Sequence, residues 1–304
     1  MLGSVDDADD LVQETFLKAW QARGSFESRS LFRTWLYRIA TNACLDAAAR
    51  RPRRVMPPDV QPSEHTLKSD FPPSVDLPWL QPYPDRLLDV AAPAHEEPAV
   101  IVESRETIEL AYLAAIQHLP ARQRAALILR DALSWSAREI AELLDLTVPA
   151  VNSLLQRARA TLRRRLPERR SEWTRSPTVS AAELDLLRRY IAAAEAADAT
   201  AFNALLADDV RQTMPPLPMW WRGKELVAEL SRLYLEELRE GDFRALPTAA
   251  NRQPAAALYL RKFGEADYRL FMVDVLTIED GLVTAVDSFD PHTCPGFELP
   301  DVLH

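Results

Sequence analysis

Residues 134–166 read SWSAREIAELLDLTVPAVNSLLQRARATLRRRL, two short amphipathic patterns separated by Asp145-Leu146-Thr147. The second pattern opens Val148-Pro149-Ala150-Val151-Asn152-Ser153, and proline in a first helical turn forfeits nothing, because that N–H has no partner inside the helix. Ile140, Leu143, Leu144, Val151 and Leu155 recur where two helices would face each other. Pro149, Ala150, Asn152, Ser153 and Gln156 place small or polar side chains at the front of the second helix, suited to reach base edges. Arg157, Arg159, Arg163, Arg164 and Arg165 follow as grips for phosphate. The pattern is that of a helix-turn-helix; a helical hairpin with a solvated basic tail is the plainer reading of the same residues.

The preceding residues are helical too. RETIELAYLAAIQHL (105–119) runs to Pro120 and ARQRAALILRDAL (121–133) follows, so 105–170 reads as four helical pieces ending in an arginine-rich run. Near the start, DLVQETFLKAW (10–20) spaces Leu11, Val12, Phe16, Leu17 and Trp20 as one apolar stripe. Gly24 and Ser25 interrupt it. SRSLFRTWLYRIATNACLDAAARR (28–51) then resumes with Leu31, Trp35, Leu36, Ile39 and Ala40, with Ser28 or Ser30 as the expected N-cap. Residues 55–104 hold 10 of the 23 prolines, which block helix propagation, and read as a linker. Within it LPWLQPYPDRLL (77–88) carries Trp79, Leu80, Tyr83 and Leu87, an apolar island expected to dock on a neighbouring domain.

Beyond residue 177 the character changes. AAELDLLRRYIAAAEAADATAFNALLADDV (181–210) reads as one amphipathic helix and a shorter one, and WWRGKELVAELSRLYLEEL (220–238) as another. Four strand-like runs follow, DFRALPTAAN, AALYLRKFG, DYRLFMVDVLTIED and GLVTAVDSFD, with Asp280-Gly281 as a hairpin signal between the last two. Helices followed by an antiparallel meander make an α+β domain.

A chain of 304 residues accommodates two or three domains. No apolar run reaches the ~18 residues of a membrane span, and the opening MLGSVDDADD is acidic where a secretory leader is basic. Cys44 and Cys294 are far apart, which excludes a disulfide framework or a cysteine-rich zinc site. A cytoplasmic location is expected. The net charge of −9 conceals an alternation. Residues 1–54 carry 9 basic against 7 acidic side chains and 105–170 carry 12 against 7, whereas 55–104 carry 2 against 9 and 178–304 carry 12 against 21. Such asymmetry confines nucleic-acid contact to part of the chain.

The run LPARQRAALILRDALSWSAREIAELLDLTVPAVNSLLQRARATLRRRL (119–166) resembles region 4 of the extracytoplasmic-function sigma factors, and DADDLVQETFLKAW with FRTWLYRIATNACLD resembles their region 2. The two come in the family's order with a linker between. The resemblance implies an all-α region 2 over 1–54, a Pro-rich acidic linker over 55–104 and an all-α helix-turn-helix region 4 over 105–170. Core RNA polymerase and promoter DNA are the implied partners, with no cofactor and no metal. It assigns polymerase docking to Asp7, Asp9, Asp10, Gln13 and Glu14, and opening of the −10 element to Phe32, Thr34, Trp35, Arg38 and Asn42. Reading of the −35 element falls to Pro149, Ala150, Asn152, Ser153, Gln156, Arg157 and Arg159. Strand opening requires capture of unstacked bases by aromatic and polar side chains on a basic support, which those residues and Tyr37 supply. Leu36 and Ile39 read as core, and the acidic residues read equally as a solvated helix start. Family members carry a further helix before DADDLVQ, so a short N-terminus with lower polymerase affinity is expected. Asp145 stands at a turn position the family usually gives to glycine, and Asp tolerates left-handed backbone better than most residues.

The opening helix, LLADDVRQTMPP, WWRGKELVAEL and the closing strands resemble the SnoaL-like branch of the nuclear-transport-factor-2-like superfamily, a cone-shaped α+β barrel, here over 178–304. Behind a sigma factor such a domain implies a built-in regulator, whose acidic balance would repel DNA. The island PWLQPYPD matches one branch of these proteins; the DGGGK motif of another is absent from the sequence, so that branch's regulatory residues do not transfer. The fold also hosts isomerases and cyclases that use a carboxylate in an apolar cavity. Asp209, Asp274, Asp287 and His292 are the candidate polar groups, and Met214, Trp220, Trp221, Tyr234 and Phe271 the candidate lining of a pocket for an unidentified small molecule. No acid is paired with an oxyanion donor, and His292-Thr293-Cys294 cannot complete a metal shell. The sequence thus reads as a sigma factor rather than an enzyme. Its rivals are a helix-turn-helix regulator acting without polymerase and a SnoaL-like isomerase or cyclase with a degenerate DNA-binding leader.

Overall fold

A computed structural model of the chain describes residues 1–26, 32–67, 73–90, 109–166 and 179–304. These form two compact units, residues 1–54 with 109–166 and residues 55–90 with 179–304. Among the described residues no helix is long and apolar enough to cross a membrane.

The first unit is all-α. Helix α1 (Val5–Gln21) is capped by Ser4, whose side chain accepts from the Asp7 N–H at 3.2 Å. Helix α2 spans Phe32–Arg50, and the expected caps Ser28 and Ser30 lie outside the described residues. The two helices meet along a narrow seam of Leu11, Ala43 and Ala47, and here the structure corrects the stripe read from the sequence. Leu11, Thr15 and Ala19 are buried, while Val12, Phe16, Leu17 and Trp20 are exposed. The alanines of α2 allow a close approach, so Leu11 with the smaller Thr15 and Ala19, at i, i+4 and i+8, fills the face toward α2 and Val12, Phe16, Leu17 and Trp20 face outward. Leu36 and Ile39 are half-buried.

Helices α3 (Leu110–Gln117), α4 (Ala121–Leu127), α5 (Ala137–Leu144) and α6 (Val148–Arg165) complete this unit, and α4 runs on into a π-helical turn over Ile128–Ala132. Their shared core includes Ile116, Leu127, Ile140, Val151, Leu155 and Ala158, with Tyr37 and Leu45 of α2 packed against it. Buried Arg124 donates to the Gln117 side-chain oxygen at 2.8 Å and to the Gln117 and Leu119 carbonyls, closing the end of α3. Burial lowers its pKa to about 10.

The second unit is α+β. Helices α7 (Ala181–Glu195), α8 (Ala199–Asn203) and α9 (Lys224–Arg232) accompany strands β1 (Leu206–Thr213), β2 (Trp220–Arg222), β3 (Gly241–Ala250), β4 (Gln253–Lys262), β5 (Tyr268–Glu279), β6 (Leu282–Phe289) and β7 (Val302–Leu303). The sheet order is β2-β1-β6-β5-β4-β3, with β7 paired to β5. β1 and β6 are parallel and the other pairs antiparallel, so the sheet is mixed. Register shifts in three ladders curve it into a cone that stays open rather than closing into a barrel. Asp280 and Gly281 both have positive φ, as a tight hairpin turn demands. β1, β2 and β7 were not among the four strand runs read from the sequence; LADDVRQT carries two aspartates, is eight residues long and lacks clean alternation. One face of the sheet meets α7 around Leu187, Tyr190, Ala256 and Leu276, and the other is covered by the tail through Leu299 and Leu303.

Residues 55–67 and 73–90 pack on this sheet. Trp79 and Leu80 are buried, Leu80 completely. Glu64 bridges Trp221 at the β2 edge and Pro84 bridges Ala250 on β3, so the segment covers backbone at both open edges. Asn251 exchanges hydrogen bonds with Tyr83, accepting on Oδ1 at 2.8 Å and donating its N–H at 2.9 Å. The Asp85 carboxylate accepts from the Arg252 N–H at 2.8 Å.

Candidate nucleic-acid interface

α5 and α6 are joined by the turn at Asp145, whose left-handed backbone (φ 54°, ψ 56°) ends α5. Ser136 and Glu139 form a reciprocal capping box at the start of α5, and that hydrogen bond holds the Glu139 carboxyl below its ordinary pKa. Thr147 caps α6 by accepting from the Ala150 N–H at 3.3 Å, with Pro149 in the first turn. The buried side of α6 is Val151, Leu155, Ala158 and Leu162. Its geometry turns Pro149, Asn152, Ser153, Gln156, Arg157 and Arg159 to solvent and leaves Ala150 half-buried. Asn152, Gln156, Arg159 and Arg163 line a groove with Arg130 and Ala137, of about 530 Å³. Arg159 is not a free cation there, because its guanidinium pairs with Asp131 at 2.8 Å.

On α2, Phe32 and Asn42 are exposed, and Thr34 and Trp35 half-buried. Phe26, Phe32 and Trp35 form an aromatic trio with centroids 5.3–5.9 Å apart. Arg38 is committed elsewhere in the unit, donating to the Glu142 carbonyl on α5 at 3.0 Å.

On α1, Asp9, Asp10 and Gln13 are exposed. Asp7 instead pairs with Arg51 and Arg54, closing the end of α2 onto the start of α1. Glu14 pairs with Lys18 at 2.6 Å, and the Lys18 hydrogen bond lowers its carboxyl pKa. The solvent side that Asp9, Asp10 and Gln13 occupy also carries Phe16, Leu17 and Trp20, exposed by 60%, 57% and 66%. The sequence reads these with Leu11 as one apolar stripe; the signal that separates them is the second stripe Leu11-Thr15-Ala19, which fills the helix face toward α2.

In the second unit Trp221, Met214 and Tyr234 share one core cluster, and Asp274 faces it beside Tyr190 and Ala256, whereas Trp220 does not join them. Trp220, adjacent to Trp221 on β2 and so on the opposite face, donates its indole N–H to the Gln61 carbonyl at 2.9 Å. Asp274 is buried and accepts from the Tyr190 hydroxyl at 2.7 Å. Burial, first of all, raises the pKa of both groups. Asp287 is held on the other face by Arg211 at 3.1 Å and Thr213 at 2.7 Å, while Asp209 and His292 are exposed. Tyr234 is half-buried and Phe271 exposed. Burial pushes the Cys294 thiol up to about 12.

Residues 1–54 match the sigma-70 region 2 family, residues 109–162 the sigma-70 region 4 family and residues 187–286 the SnoaL-like domain family. The chain is 41% identical over 310 residues to the ECF RNA polymerase sigma factor SigG of Mycobacterium tuberculosis, an alignment covering 100% of this chain and 80% of that protein. It is 31% identical over 167 residues to the ECF RNA polymerase sigma factor SigW of Bacillus subtilis, covering 55% of this chain and 79% of that one. The crystal structure of the M. tuberculosis extracytoplasmic function sigma factor SigJ shares the fold, with a TM-score of 0.59 at 22% identity over 97% of this chain and 92% of that one.

Proposed function

The chain belongs to the extracytoplasmic-function RNA polymerase sigma factors, and from that membership we propose how its parts divide the work of promoter-directed transcription initiation. Region 2 engages core polymerase and opens the −10 element; region 4 reads the −35 element. The observation that carries this reading is the presentation of α6, whose Asn152, Ser153 and Gln156 face solvent over a buried Val151–Leu155 seam. Arg157 follows as a sequence-independent grip on phosphate.

The polymerase contact is assigned to the outward side of α1, where Asp9, Asp10 and Gln13 sit among Phe16, Leu17 and Trp20. An exposed apolar patch with a polar rim marks a protein-binding surface. Phe32, Thr34, Trp35, Arg38 and Asn42 are assigned to the −10 element, with the aromatic trio as the surface on which an unstacked base rests.

The SnoaL-like domain is proposed as the regulator. Its support is the docking of residues 55–67 and 73–90, which belong by connectivity to the segment between regions 2 and 4 and by packing to the sheet. The proposed division is region 2 over 1–54, the linker over 55–104, region 4 over 105–170 and the regulatory domain over 178–304. The function is binding and strand separation, in the cytoplasm, with no bond-making step.

Run-off transcription with core polymerase on a genomic promoter library tests the reading. Promoter-specific transcripts from the full chain are expected. No transcripts and no co-elution with core would overturn it and favour a DNA-binding regulator independent of polymerase.

A further inference from the structure

One arginine of the groove beside α6, Arg159, is already paired with a carboxylate, that of Asp131. Arg130, Arg159 and Arg163 line it together with Asn152 and Gln156. Asp131 reaches Arg159 from the π-helical turn, 28 residues earlier in the chain. That turn closes with the Leu133 N–H on the Ile128 carbonyl at 3.2 Å, and the extra residue in the turn re-aims the side chains it carries. Behind the pair lies buried Tyr112, whose hydroxyl has no hydrogen-bond partner among the described residues.

We infer that Asp131 acts through Arg159 as an electrostatic brake on sequence-independent DNA binding. The inference rests on the reading of α6 as the DNA-facing helix. A phosphate that recruits Arg159 competes with Asp131 for the guanidinium, and whether it displaces the carboxylate or shares the cation with it, a like charge stays within a few ångströms of the phosphate. The cost falls on duplex DNA of any sequence, because phosphates are the same everywhere. Asn152 and Gln156, in the same groove, make the contacts that distinguish one sequence from another. A protein that searches long DNA gains from such a brake, since non-specific sites compete with the promoter.

The test is equilibrium binding of the full chain to a short mixed-sequence duplex, followed by fluorescence anisotropy over a salt series. Asp131→Asn, nearly isosteric, is expected to bind about threefold tighter at low salt, the effect of losing one partly exposed ion pair. Its log affinity should fall with log salt more steeply by roughly 0.9, one additional phosphate contact. Asp131→Glu should stay near wild type, and Asp131→Asn in an Arg159→Ala background should leave the slope where Arg159→Ala alone puts it. An unchanged or shallower slope for Asp131→Asn, or an equal gain without Arg159, overturns the inference while leaving the DNA-facing role of α6 intact. Failure of wild type and variants alike to bind any duplex, alone or with core polymerase, removes that role and the inference with it.

Discussion

Arg38 donates to the main-chain carbonyl of Glu142 at 3.0 Å, tying α2 to the first helix of the helix-turn-helix. Its neighbour Tyr37 packs on Trp135 with ring centroids 5.4 Å apart. Two consecutive side chains of the helix assigned to promoter opening are therefore turned toward region 4, and Arg38 must exchange a carbonyl for DNA when it acts. Because the hydrogen bond is exposed, Arg38→Ala should cost under about 1 kcal/mol of unfolding free energy. Loss of a nucleic-acid contact should lower promoter-specific transcription roughly tenfold. Thermal melts alongside run-off assays separate the two; a large melt shift with unchanged transcription would make Arg38 purely structural.

The outward side of α1 makes the opposite kind of prediction for Asp7 and for Trp20. Phe16→Ala and Trp20→Ala remove exposed side chains, so stability should move by no more than about 0.5 kcal/mol. Co-elution with core polymerase should weaken by on the order of 2 kcal/mol, as truncation of interface aromatics does. Asp7→Asn should instead cost stability, about 1 kcal/mol, by unpairing Arg51 and Arg54. Calorimetry and size-exclusion binding read the two quantities independently.

Residues 55–90 should behave as part of the C-terminal unit. Trp79→Ala removes a side chain only 5% exposed and should cost about 3–5 kcal/mol in denaturant unfolding of a 55–304 fragment. A 179–304 fragment, with both sheet edges bare, should melt lower and associate. Equal melting of the two fragments would show that the docked segment adds nothing.

Asp274 gives a pH signature. Its carboxyl titrates higher in the folded chain than in the unfolded one, chiefly through burial, so the folded state holds the proton more tightly. Stability should then fall as pH rises from the unfolded carboxyl range, near about 4, through the raised folded value. Asp274→Asn keeps an acceptor for the Tyr190 hydroxyl and removes the charge. It should raise the melting temperature by roughly 2–4 °C at neutral pH, with the gain vanishing in acid. A gain independent of pH would exclude ionisation as its source.

At region 4, Arg157→Ala should weaken binding to all sequences and flatten the salt dependence by roughly 0.9. Asn152→Ala should relax sequence preference at one position, by about 1–3 kcal/mol of discrimination. A competition assay across promoter variants measures both.

Most of the helices, the turn at Asp145, the Asp280-Gly281 hairpin and the order of the regions were legible in the chain, because each depends on residues close in sequence. Capping, proline in a first turn and 3.6-residue periodicity act over one or two turns, and a single chain displays them directly. What the amino-acid sequence left open is which of two amphipathic faces finds a partner. Val12, Phe16, Leu17 and Trp20 read with Leu11 as one apolar stripe, and in the folded chain Leu11, Thr15 and Ala19 are the residues that are buried. β1 and β2 exist because β6 and residues around Glu64 complete their hydrogen bonds, partners tens of residues away or more. Arg38 and Arg159 each read as a free cation, and each is held by a group 104 or 28 residues distant. The sequence by itself determined the local elements and their kind; the tertiary structure alone decided which faces are spent on packing and which charges are already paired, since both are settled by contacts between residues that are neighbours only after folding.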